Sequence, residues 1–304
     1  APTDLPRIDV DVDGGVICGV PIEYGPVPSE LAGETVANSY ISANGDQVLF
    51  SAWGARVLVE RGQRIVMDLE PGVTAEDVRF ISYGWLPSLI MLERGCIFLH
   101  ASTVSLGDAT IAVAGGSGAG KSTTAAALCA AGWSLSCDDT TAVVVRDGLP
   151  WVLPYARPIH LLPDALHQVH AGAARTRLPL REKFAVDLNQ DLAPRAITGI
   201  AFLQRSADPT QVPSVMVEGV DGLALFTLLE RNLHLRRVAA IAGPRGELMK
   251  WFEVMATVAA IRIRRSVGAD TVDEVCAQIN ASLGPSGPTG AGPVSNDSEC
   301  GVES

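Results

Sequence analysis

Lysine is almost missing from this chain. Of 23 basic residues only Lys121, Lys183 and Lys250 are lysines. An ammonium and a guanidinium are not interchangeable at a tight site, so each remaining lysine marks a place to look. Basic charge as a whole is also scarce. The 34 acids leave a net charge of −11 at pH 7, which argues against nucleic acid and anionic membranes as partners, since both need a basic surface. Long apolar runs are absent too. A membrane span needs about 18 apolar residues, and the best run, Phe80 to Leu92, contains Gly84 and Pro87 and stops at Glu93-Arg94. The opening APTDLPRIDVDVD is acidic and carries no basic segment followed by an apolar one. The expectation is a soluble, unexported, cytoplasmic protein. Cys18, Cys96, Cys129, Cys137, Cys276 and Cys300 form no CxxC and no ligand-like spacing with histidine. They are read as reduced, mostly buried small hydrophobes.

What is present suits a packed core. The chain has 304 residues, 47% of them hydrophobic and 19% charged, enough for one large domain or two smaller ones and too apolar for a disordered chain. Three zones are expected. Residues 1–95 hold short apolar runs broken by Gly and Pro, with strands over Val48–Trp53, Arg56–Val59 and Arg64–Leu69. A helix follows over Thr74–Leu92, with Thr74 as its N-cap. Residues 96–283 begin with strands over Ile97–Leu106 and Thr110–Ala114, turning at Gly107-Asp108. A helix over Lys121–Ala131 ends at Gly132, and a short strand, Trp133–Cys137, precedes Asp138-Asp139. Ala142–Val145 and Trp151–Leu153 read as a hairpin about Arg146-Asp147-Gly148. From residue 284 to 304 the chain is Gly-, Pro- and Ser-rich, which predicts a disordered tail. Its serines, Ser286, Ser295, Ser298 and Ser304, are acceptors within reach of phosphorylation in cis. No repeat of 20–50 residues is visible.

The strongest chemical signal is Gly115-Gly116-Ser117-Gly118-Ala119-Gly120-Lys121-Ser122, followed by Thr123. It satisfies G-x-x-x-x-G-K-[ST]. Glycines allow successive backbone N–H groups to curl around a phosphate, and the helix after them aims its positive end at it. Lys121 is placed for the β- and γ-phosphates and Ser122 for Mg²⁺. Nucleotide binding follows; the reaction does not, because motors, switches and kinases share this loop. Asp138-Asp139, after the next strand, can divide the work of holding a metal and taking a proton from a hydroxyl. They could equally cap a turn between strands. No apolar run ending in Asp-Glu, as a motor ATPase would show, occurs downstream. His100 after Ile97-Phe98-Leu99, Arg157 and Lys183 are further candidates, each of which could instead be a structural or solvated residue. His167 and His170 have no third ligand and are read as surface.

The run LHASTVSLGDATIAVAGGSGAGKSTTAAAL, followed by SLSCDDT, resembles the HPr kinase/phosphorylase superfamily. The likeness spans about residues 96–145 and is looser to about 280. It implies an α/β P-loop kinase domain akin to phosphoenolpyruvate carboxykinase, with a small β-rich N-terminal domain over 1–95, using ATP and Mg²⁺ on a serine hydroxyl. It implies Asp138, His100 and Lys121 as catalytic residues, Ser122 and Asp139 as metal-side residues, and Arg157 and Lys183 near the phosphates. Ala101 stands where the family has Gly. The Arg- and Gly-rich C-terminal signature and the regulatory N-terminal domain of the bifunctional enzymes are not found. The layout is closer to the homologues encoded with lasso-peptide biosynthesis genes, so a serine of a ribosomally made precursor peptide is the expected acceptor. Free serine and an HPr-like protein are the alternatives, and a homo-oligomer fits the family. Two other classes stay open: a nucleotide-binding regulatory module without catalysis, and a peptide-binding protein that recognises its partner through residues 1–95.

Overall fold

The computed structural model describes residues 2, 5–11, 15–155, 158–168, 175–177, 183–206, 214–243, 246–266 and 271–285. Its architecture is mixed α/β. Among the described residues the strands form sheets of eight, six, five and three. The eight-stranded sheet is built from residues 10–69 and contains the antiparallel meander Gln47–Ala52, Ala55–Glu60 and Arg64–Leu69. Of the tail predicted over 284–304, all but Gly284 and Pro285 lies outside the described residues. No described helix is long and apolar enough to cross a membrane.

The helix expected over Thr74–Leu92 is two helices, Ala75–Gly84 and Leu86–Glu93, meeting at Trp85. Pro87 explains the break, because proline lacks an N–H and is tolerated only in a helix's first turn. Thr74 caps the first helix as its sequence predicts. Its hydroxyl accepts from the Asp77 N–H at 3.2 Å, and the Asp77 carboxylate accepts from the Thr74 N–H at 2.9 Å.

The six-stranded sheet runs Ser134–Cys137, Ala101–Leu106, Ala109–Gly115, Gly199–Ser206, Ala259–Ser266, Val215–Gly219. Its centre is parallel: Ala109–Gly115 pairs with Gly199–Ser206, and that strand pairs with Ala259–Ser266. Both faces of Ala109–Gly115 are buried, which is why it reads as a continuous apolar run and not as an alternating one. Ile111 and Val113 pack on the side of Ala125 and Leu128 from the helix Lys121–Ala130. Ala112 and Ala114 face the other core with Phe202, and that core continues without interruption to Leu89, Met67 and Phe50.

The strand expected over Ile97–Leu106 is also divided, and the division positions the site. Ile97–Leu99 belongs to the five-stranded sheet, between Thr141–Arg146 and Leu233–His234. Ala101–Leu106 belongs to the six-stranded sheet. His100 is the crossing point, and its N–H goes to Asn232 O at 2.7 Å instead of a strand ladder. The chain crosses between the same two sheets again at residues 138–140, between Ser134–Cys137 and Thr141–Arg146. The hydroxyls of Thr103 and Thr141 meet across this junction at 2.8 Å. So His100 and the aspartate pair are brought side by side by sheet topology.

Candidate functional site

The glycine-rich loop leaves the carboxyl end of Ala109–Gly115 and enters the helix Lys121–Ala130. Two glycines are dictated by geometry. Gly115 has φ +155°, and a Cβ there would lie 2.6 Å from Leu203 O. Gly120 caps the helix in the left-handed region at φ +100°, against the Arg265 guanidinium. Arg265 is buried and donates to Ala119 O at 2.8 Å and to Thr271 Oγ1 at 3.4 Å, so it fastens the loop to the sheet beneath.

Lys121 lies across the loop. Its Nζ donates to Gly115 O at 2.9 Å and to Gly116 O at 3.3 Å. Burial pulls its pKa below the usual lysine value; Asp139 and Asp138 oppose this, and the nearby charge of Lys183 adds to it. Ser122 begins the helix beside it and donates from Oγ to Asp138 Oδ1 at 2.9 Å. That same carboxylate oxygen accepts from Ser102 Oγ at 2.7 Å, while Oδ2 accepts from the His160 N–H at 3.2 Å. Asp138 is thereby held in one orientation, 6% exposed.

Asp139 is the opposite case. Its backbone is left-handed at φ +66° and its side chain is 58% exposed. Aspartate is one of the few residues that tolerates this conformation, and the turn, closed by Thr140 N–H to Asp138 O at 2.8 Å, points the two carboxylates to different surroundings. His100 Nδ1 is 3.8 Å from Asp139 Oδ1. Burial and then the Lys121 charge lower the His100 pKa, with Asp139 pulling the other way. Burial and His100 lower that of His234 in turn. Both imidazoles are therefore biased toward the neutral form.

A small groove is lined by Tyr83 and Pro87 from the helix pair and by Phe98, Tyr155, Asp138 and Thr140. The Tyr155 hydroxyl donates to Tyr83 O at 3.2 Å and ties the walls together.

Ser122, Asp138 and Asp139 offer hard oxygen donors beside the glycine-rich loop. Among the described residues no three His, Cys, Asp or Glu side chains converge on a point to hold a metal. This donor set fits a Mg²⁺ ion shared between protein and phosphates, not a caged metal.

Of the residues singled out from sequence, His100, Gly115–Ser122, Asp138, Asp139 and Lys183 are near one another, and Thr123 sits in the first helical turn. Arg157 and His170 lie outside the described residues. His167 is exposed on a 3₁₀ turn, as its reading as surface required. The described cysteines are free thiols, buried except for the half-buried Cys129, and Cys300 lies outside the described residues. Sequence reasoning passed over Ser102, His234, Arg265 and Arg205. Arg205 is exposed at the end of Gly199–Ser206, opposite Arg265 in register, with its Nη1 3.9 Å from where a Gly118 Cβ would be. The one signal for this pair was an arginine just before the closing serine of each of two strands, GIAFLQRS and AAIRIRRS.

No protein-family model matches the chain, and no curated protein matches it. Among solved structures, the HPr(Ser) kinase/phosphatase from Coxiella burnetii aligns with a TM-score of 0.31 and 9% identity, over 60% of this chain and 94% of that one. That likeness is distant.

Proposed function

We propose that this chain is a P-loop phosphotransferase that moves the γ-phosphoryl group of ATP to a serine hydroxyl. One observation carries the reading: the P-loop serine, Ser122, is hydrogen-bonded at 2.9 Å to Asp138, which also lines a small groove. On this reading phosphate and acceptor meet at one carboxylate. The loop backbone and Lys121 bind the phosphates, and Ser122 with Asp139 holds the metal side. Mg²⁺ bound there would neutralise charge on the β- and γ-phosphates. Asp138 takes the proton of the acceptor hydroxyl as it attacks in line. Lys183 and Arg205 offset charge on the transferring group, and neutral His100 offers it a hydrogen bond. A serine of a precursor peptide is the acceptor proposed first, with an HPr-like protein and free serine as the alternatives.

The bond between Ser122 and Asp138 favours a second division of labour, with Asp138 on the metal side and Asp139, beside His100, taking the proton. Two variants separate these. If Asp138 is the base, Asp138→Asn keeps Mg²⁺-dependent ATP affinity and loses at least ~10²-fold in transfer. If it serves the metal, the Mg²⁺ dependence of ATP binding collapses and Asp139→Asn shows the pure transfer defect. Intact-mass spectrometry of a serine-ending peptide, its alanine-ending twin, an HPr-type protein and free serine reads the acceptor. ATP binding without transfer to any of them would leave a nucleotide-binding module in place of a kinase.

A further inference from the structure

Aromatic side chains are few: 7 Phe, 5 Trp and 4 Tyr. Five of them nevertheless meet in one place. Tyr40 stacks on Trp53 with ring centroids 5.7 Å apart, Phe80 meets Trp53 edge-on at 5.1 Å, and Phe50 and Trp85 lie beneath. Tyr40, Trp53 and Phe80 are nonetheless exposed, at 47%, 47% and 45%. Trp53 is held there against its own backbone preference. It and Gly54 form the two-residue turn between Gln47–Ala52 and Ala55–Glu60, with φ +52° and +72°. The first position of such a turn favours Asn, Asp or Gly, and the same turn at Asp147-Gly148 uses Asp. A tryptophan there is strained and only half-covered, which is the pattern of a residue kept for contact.

The patch is continuous with the candidate site. Phe80 and Tyr83 are three residues apart on one helix, and Tyr83 lines the groove together with Asp138. On the inner side Trp53 contacts Trp85 at 6.5 Å, and Trp85 contacts His234 at 6.2 Å. Acids border the Trp53–Phe80 side: Glu70 donates its N–H to Gly54 O beside Trp53, and Glu76 lies one turn before Phe80 on its helix, while Arg237 reaches Ala37 O on the Tyr40 side. Half-exposed rings with acids beside them, in a chain of charge −11, complement a cation that stacks, which is what a guanidinium does.

We infer that the Tyr40–Trp53–Phe80 face docks an arginine-bearing segment of the acceptor peptide while its serine lies in the groove at Asp138. This rests on the hydroxyl-phosphorylating reading and specifies its substrate.

The test is fluorescence anisotropy without nucleotide, using a labelled 12-residue serine-ending peptide with arginines five and six residues before the serine. A twin carrying glutamates at those two positions is the control. The arginine peptide should bind at least ten-fold tighter than the glutamate peptide. Trp53→Asn and Phe80→Ala should each weaken it about ten-fold, with ATP affinity unchanged. Asn suits the turn better than Trp, so Trp53→Asn should melt no earlier than the parent, which separates lost contact from lost fold. Equal binding of the two peptides, no binding of either, or unchanged binding by both variants would overturn the docking assignment. Transfer is read separately with Asp138→Asn. Docking that persists with no transfer by the parent protein would remove the kinase reading and leave the docking face standing.

Discussion

At the scale of single residues, the glycine-rich loop is a site where backbone conformation matters more than side-chain chemistry. Gly115 illustrates it. At φ +155° an added methyl is strained by conformation and would also meet Leu203 O at 2.6 Å, a backbone atom that cannot rotate away. Relief would require the parallel pairing of Gly115 with Leu203 to open, and that pairing sets where the loop leaves the sheet. Gly115→Ala is expected to cost roughly 2–3 kcal/mol of stability and to weaken ATP binding more than ten-fold. Calorimetric unfolding and ATP titration read the two effects. By contrast, Gly116→Ala meets nothing within 4 Å and has no positive φ, so it serves as the control expected to fold normally. Equal melting of the two variants would show that the Gly115 contact is relieved at no cost.

At the scale of elements, the helix Ala75–Gly84 supports both the groove and the aromatic face, so its start should matter to both. Thr74 and Asp77 satisfy each other's backbone N–H groups, and Glu76 and Asp77 sit at the positive end of the helix dipole. Thr74→Ala removes the hydroxyl that accepts from Asp77 N–H and should cost about 1 kcal/mol. The loss should show first as faster amide exchange in residues 75–84, before any fall in global stability; unchanged exchange there would mean packing alone holds the helix. This cap was legible in the sequence, as were the strand, glycine-rich loop and helix around Gly115–Lys121 and the Asp147-Gly148 hairpin, because each signal lies within a few consecutive residues. The breaks at Trp85 and His100 were not. Pro87 was visible but was read as an interruption of one apolar run, and His100 leaves its strand because Asn232, far along the chain, supplies its hydrogen-bond partner. Arg265 and His234 escaped for the same reason. Their place is set by strand pairing with distant segments, Gly199–Ser206 in one case and Ile97–Leu99 in the other.

At the scale of the whole molecule, three buried or half-buried groups pull stability in opposite directions with pH. Glu93 closes the N-terminal sheet onto the second helix by accepting from the Gly62 N–H, and Arg94 beside it donates to Gly62 O at 2.8 Å. Burial pushes the Glu93 carboxyl from 4.5 up to about 8. The folded state therefore holds this proton more tightly than the unfolded chain, and the resulting stability is lost as pH rises from about 4.5 to 8. His100 and His234 are shifted the other way, below the ordinary 6.5, chiefly by burial. The unfolded chain binds their protons more readily, so their contribution is complete above 6.5 and is lost as pH falls through the folded values. Below 6.5, on the acid limb, the two histidines oppose the carboxyl, and above 6.5, on the alkaline limb, the carboxyl acts with little opposition from them. Stability should fall by at most ~2 kcal/mol between pH 6.5 and 8, at about 1.4 kcal/mol per proton per pH unit. Glu93→Gln, which keeps the shape and cannot ionise, should flatten that alkaline limb and leave the acid limb intact. His234→Asn should shallow the acid limb only. Urea midpoints from pH 5 to 9 for the parent and the two variants test both arms. A parent whose midpoint holds steady between pH 6.5 and 8 would mean that Glu93 ionises in place and that the junction between the N-terminal sheet and its helix pair tolerates the charge.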